Sequence, residues 1–359
     1  MGQKAIRFGV VGLGMGRHHC VAINNARGAE LAAICDKHPG RLAEREKEFK
    51  VKAYQDYAAM LKDPDIDVVS IVTESSTHAD LGIAAVKAGK HILVEKPVDI
   101  TPARINKLER AVAAAGVKCG CIFQARMEPC SIALKKAIEK GKMGRMIGMH
   151  GTLPWYRGDD YFLGPFGPWR GTWTIDGGGS MMNQGIHTID QLIFLGGPVK
   201  RVCGFYDVFN HNIEAEDLAV ACLQYENGAL GTVFTTTCAN PGGPQTVYGF
   251  GTKGSFRKAG ALLTSYEMGG KAERKRVMEK FGDTDTNPDA SKDAMAVALD
   301  GHTMLMEDMA RAIKQDREPI ISLAQARHAV EVVCAVYKAA NTGRTIEVAR
   351  MPGARATAS

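Results

Sequence analysis

The sequence predicts a two-domain α/β protein: an N-terminal doubly wound parallel sheet, followed by a C-terminal α+β domain with an open, mainly antiparallel sheet. Three observations carry that expectation. Over the first third of the chain, apolar runs alternate with helical stretches, the rhythm of repeated beta-alpha-beta units. The first run, Ile6 to Val11, enters Gly12-Leu13-Gly14-Met15-Gly16, and the second, Leu31 to Cys35, ends at Asp36. Beyond Gln124 the apolar runs follow one another more closely, and Asn227-Gly228 stands between two of them as a hairpin turn. The division expected is 1–123 for the first domain, 124–349 for the second and 350–359 for a disordered tail.

Element by element, the strand Ile6 to Val11 and the glycine turn lead into a helix and then the strand Leu31 to Cys35. A charged helical stretch runs from Pro39 to Phe49, and a short helix lies around Tyr57 to Lys62. The turn Asp63-Pro64-Asp65 introduces the strand Val68 to Thr73, and the helix His78 to Ala88 stops at Gly89. The strand His91 to Val94 runs into Glu95-Lys96-Pro97, and a helix from Pro102 to Ala115 ends at Gly116 before the strand Lys118 to Phe123. In the second domain a helix spans Pro129 to Lys140, with strands at Met146 to Leu153, Val199 to Tyr206, Leu218 to Tyr225, Ala229 to Thr236, Gln245 to Gly251 and Ser255 to Tyr266. The polar segment Gly269 to Ser291 reads as a loop, followed by helices Asp300 to Gln315 and Ser322 to Asn341 and a last strand, Thr345 to Val348.

Composition narrows the function. A chain of 359 residues suits two domains, and 45% hydrophobic with 23% charged residues is ordinary for a globular enzyme. A net charge of +6 raises nucleic acid as a partner, but no basic stripe with interleaved aromatics appears, and the densest basic run, Lys271 to Arg276, contains Glu273. No apolar stretch is long enough to span a bilayer, and the N-terminus enters a strand without a signal-peptide core, so the reading is cytoplasmic, with no membrane partner. The nine cysteines show no metal-ligand spacing, and Cys119 and Cys121, one residue apart, read as buried reduced thiols. No metal site is expected.

The glycine turn points to a dinucleotide. Glycines let the backbone turn tightly and approach a pyrophosphate, whose charge rests on the positive end of the following helix, and an acid about twenty residues on holds the ribose. Gly12, Leu13, Gly14, Met15, Gly16 and Asp36 fill those places, although Gly16 stands one residue earlier than the usual third position, which falls on Arg17. A carboxylate suits the free 2'-hydroxyl of NAD and repels the 2'-phosphate of NADP, with Lys37 and Arg41 softening the preference. The cofactor expected is NAD, and the chemistry redox.

Hydride transfer from an alcohol needs a group to accept the hydroxyl proton and a cation or donor to hold the oxygen. Lys96, at the end of a strand of the first domain, can supply the second, or can equally be half of a surface Glu-Lys pair. The stretch Gly177-Gly178-Gly179 to Asp190 supplies the first: helical spacing puts Asn183 and His187 four apart, on one face. A histidine titrating near neutrality takes a proton, and an amide orients a hydroxyl without changing charge. A histidine packed against the sheet is the competing reading. Met181, Met182, Ile186 and Ile189 read as core.

Taken together, Gly12-Leu13-Gly14, Asp36, Ile71-Val72-Thr73 with His78, Glu95-Lys96-Pro97, the Trp169-Arg170-Gly171-Thr172-Trp173 block and the glycine triplet leading to His187 resemble the Gfo/Idh/MocA family of oxidoreductases over nearly the whole chain. The resemblance implies a Rossmann domain plus an open-sheet domain, assembled as a homodimer or homotetramer through that sheet. It implies that Lys96 holds the reacting hydroxyl, that His187 is the acid/base, and that Thr73, His78, Glu95, Trp169 and Arg170 belong to the cofactor site. Many members carry aspartate where this chain has Asn183, and some that oxidise amino-sugar nucleotides carry asparagine. Arg126 and Tyr156, and behind them Arg157, Asp190 and His302, are further candidates to contact a sugar or polyol, each also readable as structural. Loops such as Pro154 to Pro168 set the pocket.

The function expected is an NAD-dependent oxidoreductase acting on a secondary hydroxyl of a sugar, a glycoside (at C3, for example) or a cyclic polyol. Two alternatives stay open: a glycosidase that keeps its NAD and works by transient sugar oxidation and elimination, and a non-catalytic NAD-binding regulatory protein.

Overall fold

The computed structural model describes residues 4–164, 167–282 and 299–351. Its elements are β1 (Ile6–Val11), α1 (Gly16–Asn25), β2 (Ala29–Cys35), α2 (Pro39–Phe49), β3 (Lys52–Tyr54), α3 (Tyr57–Leu61), β4 (Val68–Ile71), α4 (His78–Lys87), β5 (His91–Val94), α5 (Pro102–Ala115) and β6 (Cys119–Cys121). There follow α6 (Pro129–Glu139), β7 (Met146–Pro154), α7 (Asp159–Leu163), α8 (Ile186–Gly196), β8 (Val199–Asp207), β9 (Leu218–Tyr225), β10 (Leu230–Thr236), β11 (Thr246–Gly251), β12 (Ser255–Ala259), β13 (Leu262–Tyr266), α9 (Lys271–Phe281), α10 (Leu299–Lys314), α11 (Leu323–Thr342) and β14 (Ile346–Glu347). They form two units, residues 1–124 with 298–327 and residues 125–297 with 328–359.

In the first unit six parallel strands run in the order β3-β2-β1-β4-β5-β6. The strands are nearly continuous apolar runs because helices cover both faces; Val68 to Ile71 is buried throughout. The direction of winding reverses between β1 and β4, the place where open parallel sheets bind ligands beyond their strand ends. The sequence missed β3, whose Lys-Ala-Tyr offers no apolar run and which pairs only with the end of β2. The single boundary at 123/124 also differs from the structure, because α10 belongs to the first unit. The chain returns there along the sheet edge: Cys121 N donates to Ile321 O at 3.2 Å, and Gly120 bridges Ser322.

The second unit holds an eight-stranded sheet in the order β13-β12-β11-β7-β10-β9-β8-β14. Only the β7–β10 pair is parallel. The Asn227-Gly228 hairpin is present, with Gly228 at φ +85°. Helix α8 lies close on the sheet at Gly151, where a Cβ would come within 2.6 Å of Thr188. Two expectations fail here. Ser255 to Tyr266 is two strands, turned at Gly260 with φ +55°, and the supposed loop after Gly269 contains α9. Helix α9 buries no residue, so it carries no apolar period to read; ion pairs from Glu273 to Lys142 and from Arg274 to Glu267 tie it down. The rest of that segment, 283–291, and the tail residues 352–359 lie outside the described residues. Among the described residues no helix is long and apolar enough to cross a membrane.

Candidate active site

The glycine turn of the first unit has the shape a dinucleotide requires. Gly12 has φ +87°, and a Cβ there would come within 2.5 Å of Val72 O. At Gly14, by contrast, no described atom lies within 4 Å of a Cβ, which leaves room for a phosphate. Gly16 opens α1, and a Cβ there would come within 3.1 Å of Val10 Cγ1. It therefore does the close helix–strand packing despite standing one residue early. Met15 precedes α1 with no side-chain cap, so the first N–H groups of the helix are available to an anion.

Asp36 does more than the sequence suggested. Its Oδ2 accepts from Leu13 N (2.8 Å) and Arg41 Nε (2.7 Å), and its Oδ1 from His38 N (2.8 Å) and Arg41 Nη2 (3.0 Å). Burial pushes this carboxyl up, but Arg41 and the two amides outweigh it and hold it below its ordinary value. Asp36 thus ties the glycine turn to α2, and a ribose would share it with Arg41. Lys37 instead pairs with Glu74.

Thr73 and His78 shape the neighbouring loop. Thr73 Oγ1 bonds Thr77 Oγ1 at 2.6 Å, while the buried His78 ring spans Thr73 O (3.0 Å) and Pro97 O (2.8 Å). His78 is therefore a brace between the β4 loop and the Lys96-Pro97 segment. Glu95 is anchored as firmly. Its Oε1 lies 2.9 Å from His19 Nε2, whose Nδ1 meets Ser70 Oγ at 2.8 Å, and its Oε2 accepts from Lys96 N at 2.8 Å. His302 Nε2 of α10 is 3.7 Å from the same Oε1. Burial pushes Glu95 up; its contacts with His19 and His302 more than reverse this and leave it well below the ordinary range. His19 is displaced downward by burial. A half-buried carboxylate braced by two histidines thus fixes the backbone of Lys96.

In the second unit the glycine triplet is a matter of packing. A Cβ on Gly178 would come within 2.2 Å of Tyr337 Oη, and one on Gly179 within 1.7 Å of Glu216 O. Residues Ser180–Gln184 then wind as a π-helix before α8 begins at Ile186. The expected single helical face is therefore wrong in detail: Asn183 and His187 sit in different windings, which the tight glycine entry and the Glu216 clamp explain. Glu216 Oε1 accepts from Met181 N (2.8 Å) and Tyr337 Oη (2.7 Å), and burial raises its carboxyl to about 8. From 181 to 190 every residue is buried except His187, which is half-buried. Asn183 is 8% exposed, and its Nδ2 donates to Asp176 Oδ1 at 2.7 Å.

The other candidates are largely braces. Arg126 is buried in a two-pronged pair with Asp190 on α8 (2.8 and 2.6 Å), which gives it a positioning place rather than an open one. Arg170 lies 4.3 Å over the Tyr161 ring and 5.1 Å from that of Trp169. Tyr156 is 39% exposed, and its backbone bridges Cys238. Sequence reasoning missed Asp176, Tyr161, Glu216 and Tyr337. Only Asp176 carried a signal, as an acid directly before the glycines; the rest come together by folding alone.

The chain is similar to known oxidoreductases. A family described as "Oxidoreductase family, NAD-binding Rossmann fold" matches residues 6–123, and "GFO/IDH/MocA C-terminal domain" matches residues 132–257. The chain is 28% identical over 262 residues to a scyllo-inositol 2-dehydrogenase (NAD(+)) of Bacillus subtilis, covering 71% of this chain and 74% of that one. It is 29% identical over 286 residues to a myo-inositol 2-dehydrogenase of Thermotoga maritima, covering 75% and 81%. The WlbA dehydrogenase of Bordetella pertussis, solved in complex with NADH and UDP-GlcNAcA, superposes with a TM-score of 0.87 at 28% identity over 98% of this chain and 99% of that one.

Proposed function

The chain belongs to the Gfo/Idh/MocA oxidoreductase family and is an NAD-dependent dehydrogenase acting on CH–OH groups, and from that premise we propose that it oxidises a secondary hydroxyl of a sugar, glycoside or cyclic polyol. The observation that carries the reading is His187, the one side chain left accessible in an otherwise buried segment, 181–190. NAD, held at the Gly12–Gly16 turn, supplies the hydride acceptor. Lys96, its backbone fixed through Glu95, donates to the substrate oxygen and steadies the negative charge that develops there. His187 takes the hydroxyl proton. Asn183, tied to Asp176, orients a neighbouring hydroxyl without altering the charge of the site.

Asparagine at 183 matches the members that oxidise amino-sugar nucleotides, which makes a sugar nucleotide a substrate class to test, with C3 of a hexose as one candidate position. Full-length similarity to a dehydrogenase crystallised with UDP-GlcNAcA supports testing that class first, with inositols beside it. The test is to incubate protein with NAD and a panel of sugar nucleotides, glycosides and inositols, following NADH and product mass. Accumulating NADH with a product two hydrogens lighter supports the reading. Release of aglycone without net NADH would instead identify the NAD-retaining glycosidase, and binding of NAD without turnover the regulatory protein.

The proposal includes a cytoplasmic homodimer or homotetramer. Its support is the uncovered face of the second sheet, where Phe205 is 76% and Leu230 60% exposed. Light scattering of the purified protein tests it, and a monomer would refute it.

A further inference from the structure

One cluster in the second unit has no part in the proposed reaction. His211 follows β8, Asp217 directly precedes β9 and Cys238 follows β10; His211 and Asp217 are buried and Cys238 half-buried. His211 Nδ1 lies 3.2 Å from Asp217 Oδ2 and 3.7 Å from Cys238 Sγ, and all three ligand atoms fall within 4.8 Å of one another. We propose that these three side chains form a divalent-cation site, suited to zinc.

The nitrogen–oxygen and nitrogen–sulfur spacings fit a tetrahedral ion. Zinc bonds of about 2.0–2.1 Å to nitrogen or oxygen and about 2.3 Å to sulfur put nitrogen and oxygen about 3.3 Å apart and nitrogen and sulfur about 3.6 Å apart. The proton count supports it independently. His211 Nε2 lies 2.7 Å from Arg157 O, an atom that only accepts, so Nε2 carries a hydrogen. In the neutral ring Nδ1 is then a bare lone pair that faces a carboxylate oxygen, with only the weakly donating Cys238 thiol, 3.7 Å away, to satisfy it among the contacts of this cluster. A cation between them resolves that contact without adding a second proton to a buried ring.

The surroundings match those of metal ligands. Histidines that bind metals usually donate their other nitrogen to a carbonyl or carboxylate, and ligating carboxylates are themselves hydrogen-bonded. Here Arg157 O orients the ring, and Asp217 accepts from Phe209 N (2.8 Å), Asn210 N (2.9 Å) and His211 N (3.0 Å). The Phe162 ring, 4.7 Å from that of His211, shields one side. With the thiol proton released to solvent on binding, a neutral imidazole, a carboxylate and a thiolate balance a doubly charged ion, so the buried site is neutral overall. The fourth position remains for water. The other such cluster, His19 with Glu95 and His302, differs at this point: Ser70 Oγ can donate to His19 Nδ1 while Nε2 donates to Glu95, so a neutral His19 ring satisfies both contacts without an ion.

The full chain, stripped with a chelator, is titrated with cobalt(II) alone and then with zinc(II). Expected is one cobalt per chain with a thiolate-to-cobalt charge-transfer band, displaced by zinc. Cys238→Ser, with its fold checked by circular dichroism, loses the band and binds at least tenfold more weakly; the paired variant Cys203→Ser with Cys222→Ser keeps both. His211→Gln serves as a second test and also binds at least tenfold more weakly. No stoichiometric band in the unaltered chain, or an equal band in Cys238→Ser, overturns the site.

Discussion

Asn183 Nδ2 donates to Asp176 Oδ1 at 2.7 Å, within a segment where both residues are buried. The carboxylate that the family resemblance would lead one to expect at position 183 therefore has a counterpart here one hydrogen bond away. Asp176 is itself held by Gly171 N at 3.0 Å. Replacing the amide by an acid sets two carboxyls in contact, and one must keep its proton. Asn183→Asp is expected to lower thermal stability by about 1–3 kcal/mol, the cost of a buried group losing its partner, and to lower kcat more at high pH than at low pH. Melting curves and a kcat–pH profile read both effects; an unchanged profile would show that the pair takes no part.

Two glycines are expected to behave oppositely. Gly179→Ala drives a methyl into the Glu216 carbonyl and destabilises by about 3 kcal/mol or more. Gly14→Ala meets open space, so its melting temperature stays unchanged while NAD binding weakens about tenfold, roughly 1.4 kcal/mol. Calorimetric melting and NAD titration separate the two, and equal melting losses would contradict the packing argument.

Glu216 makes stability depend on pH. Burial raises its carboxyl from an ordinary 4.5 to about 8, so between those values the unfolded chain has released a proton that the folded chain retains. The contribution is complete below about pH 4.5, declines as pH rises to about 8 and is flat above, at up to about 1.4 kcal/mol per unit. Denaturant midpoints measured across that window should fall with rising pH in the parent chain and change less in Glu216→Gln. Identical slopes would refute this.

Arg41 is positioned to bear on cofactor choice, because its Nε and Nη2 both donate to Asp36. In Asp36→Ser the guanidinium loses its carboxylate and becomes available to a 2'-phosphate. NAD affinity should fall about tenfold, roughly 1.4 kcal/mol, with a rise in the NADP to NAD preference that the additional Arg41→Ala change removes. Fluorescence titration with both cofactors checks it.

The fold was legible where apolar periodicity met a turn signal. Ile6 to Val11 with its glycines, the Pro102 to Ala115 helix and the Asn227-Gly228 hairpin all combine a run with a stop. Legibility failed where stability comes from contacts distant in sequence. The β3 strand is held by its neighbour and α9 by ion pairs, while α10 was legible as a helix but its place in the first unit was not. The motifs of the site could be read, but their supports could not. His302 reaches Glu95 across about two hundred residues of sequence. The π winding at Ser180–Gln184 depends on Glu216 and Tyr337, neither of which any spacing rule connects to it.

The decisive experiment is single-turnover reduction of NAD by the parent chain, Lys96→Ala and His187→Ala on whichever sugar or polyol the panel identifies. The parent chain should form one NADH per site, with each variant slowed at least a hundredfold, about 2.7 kcal/mol of barrier, while still binding NAD. If both variants reduce NAD at the parent rate, Lys96 and His187 do not carry the chemistry.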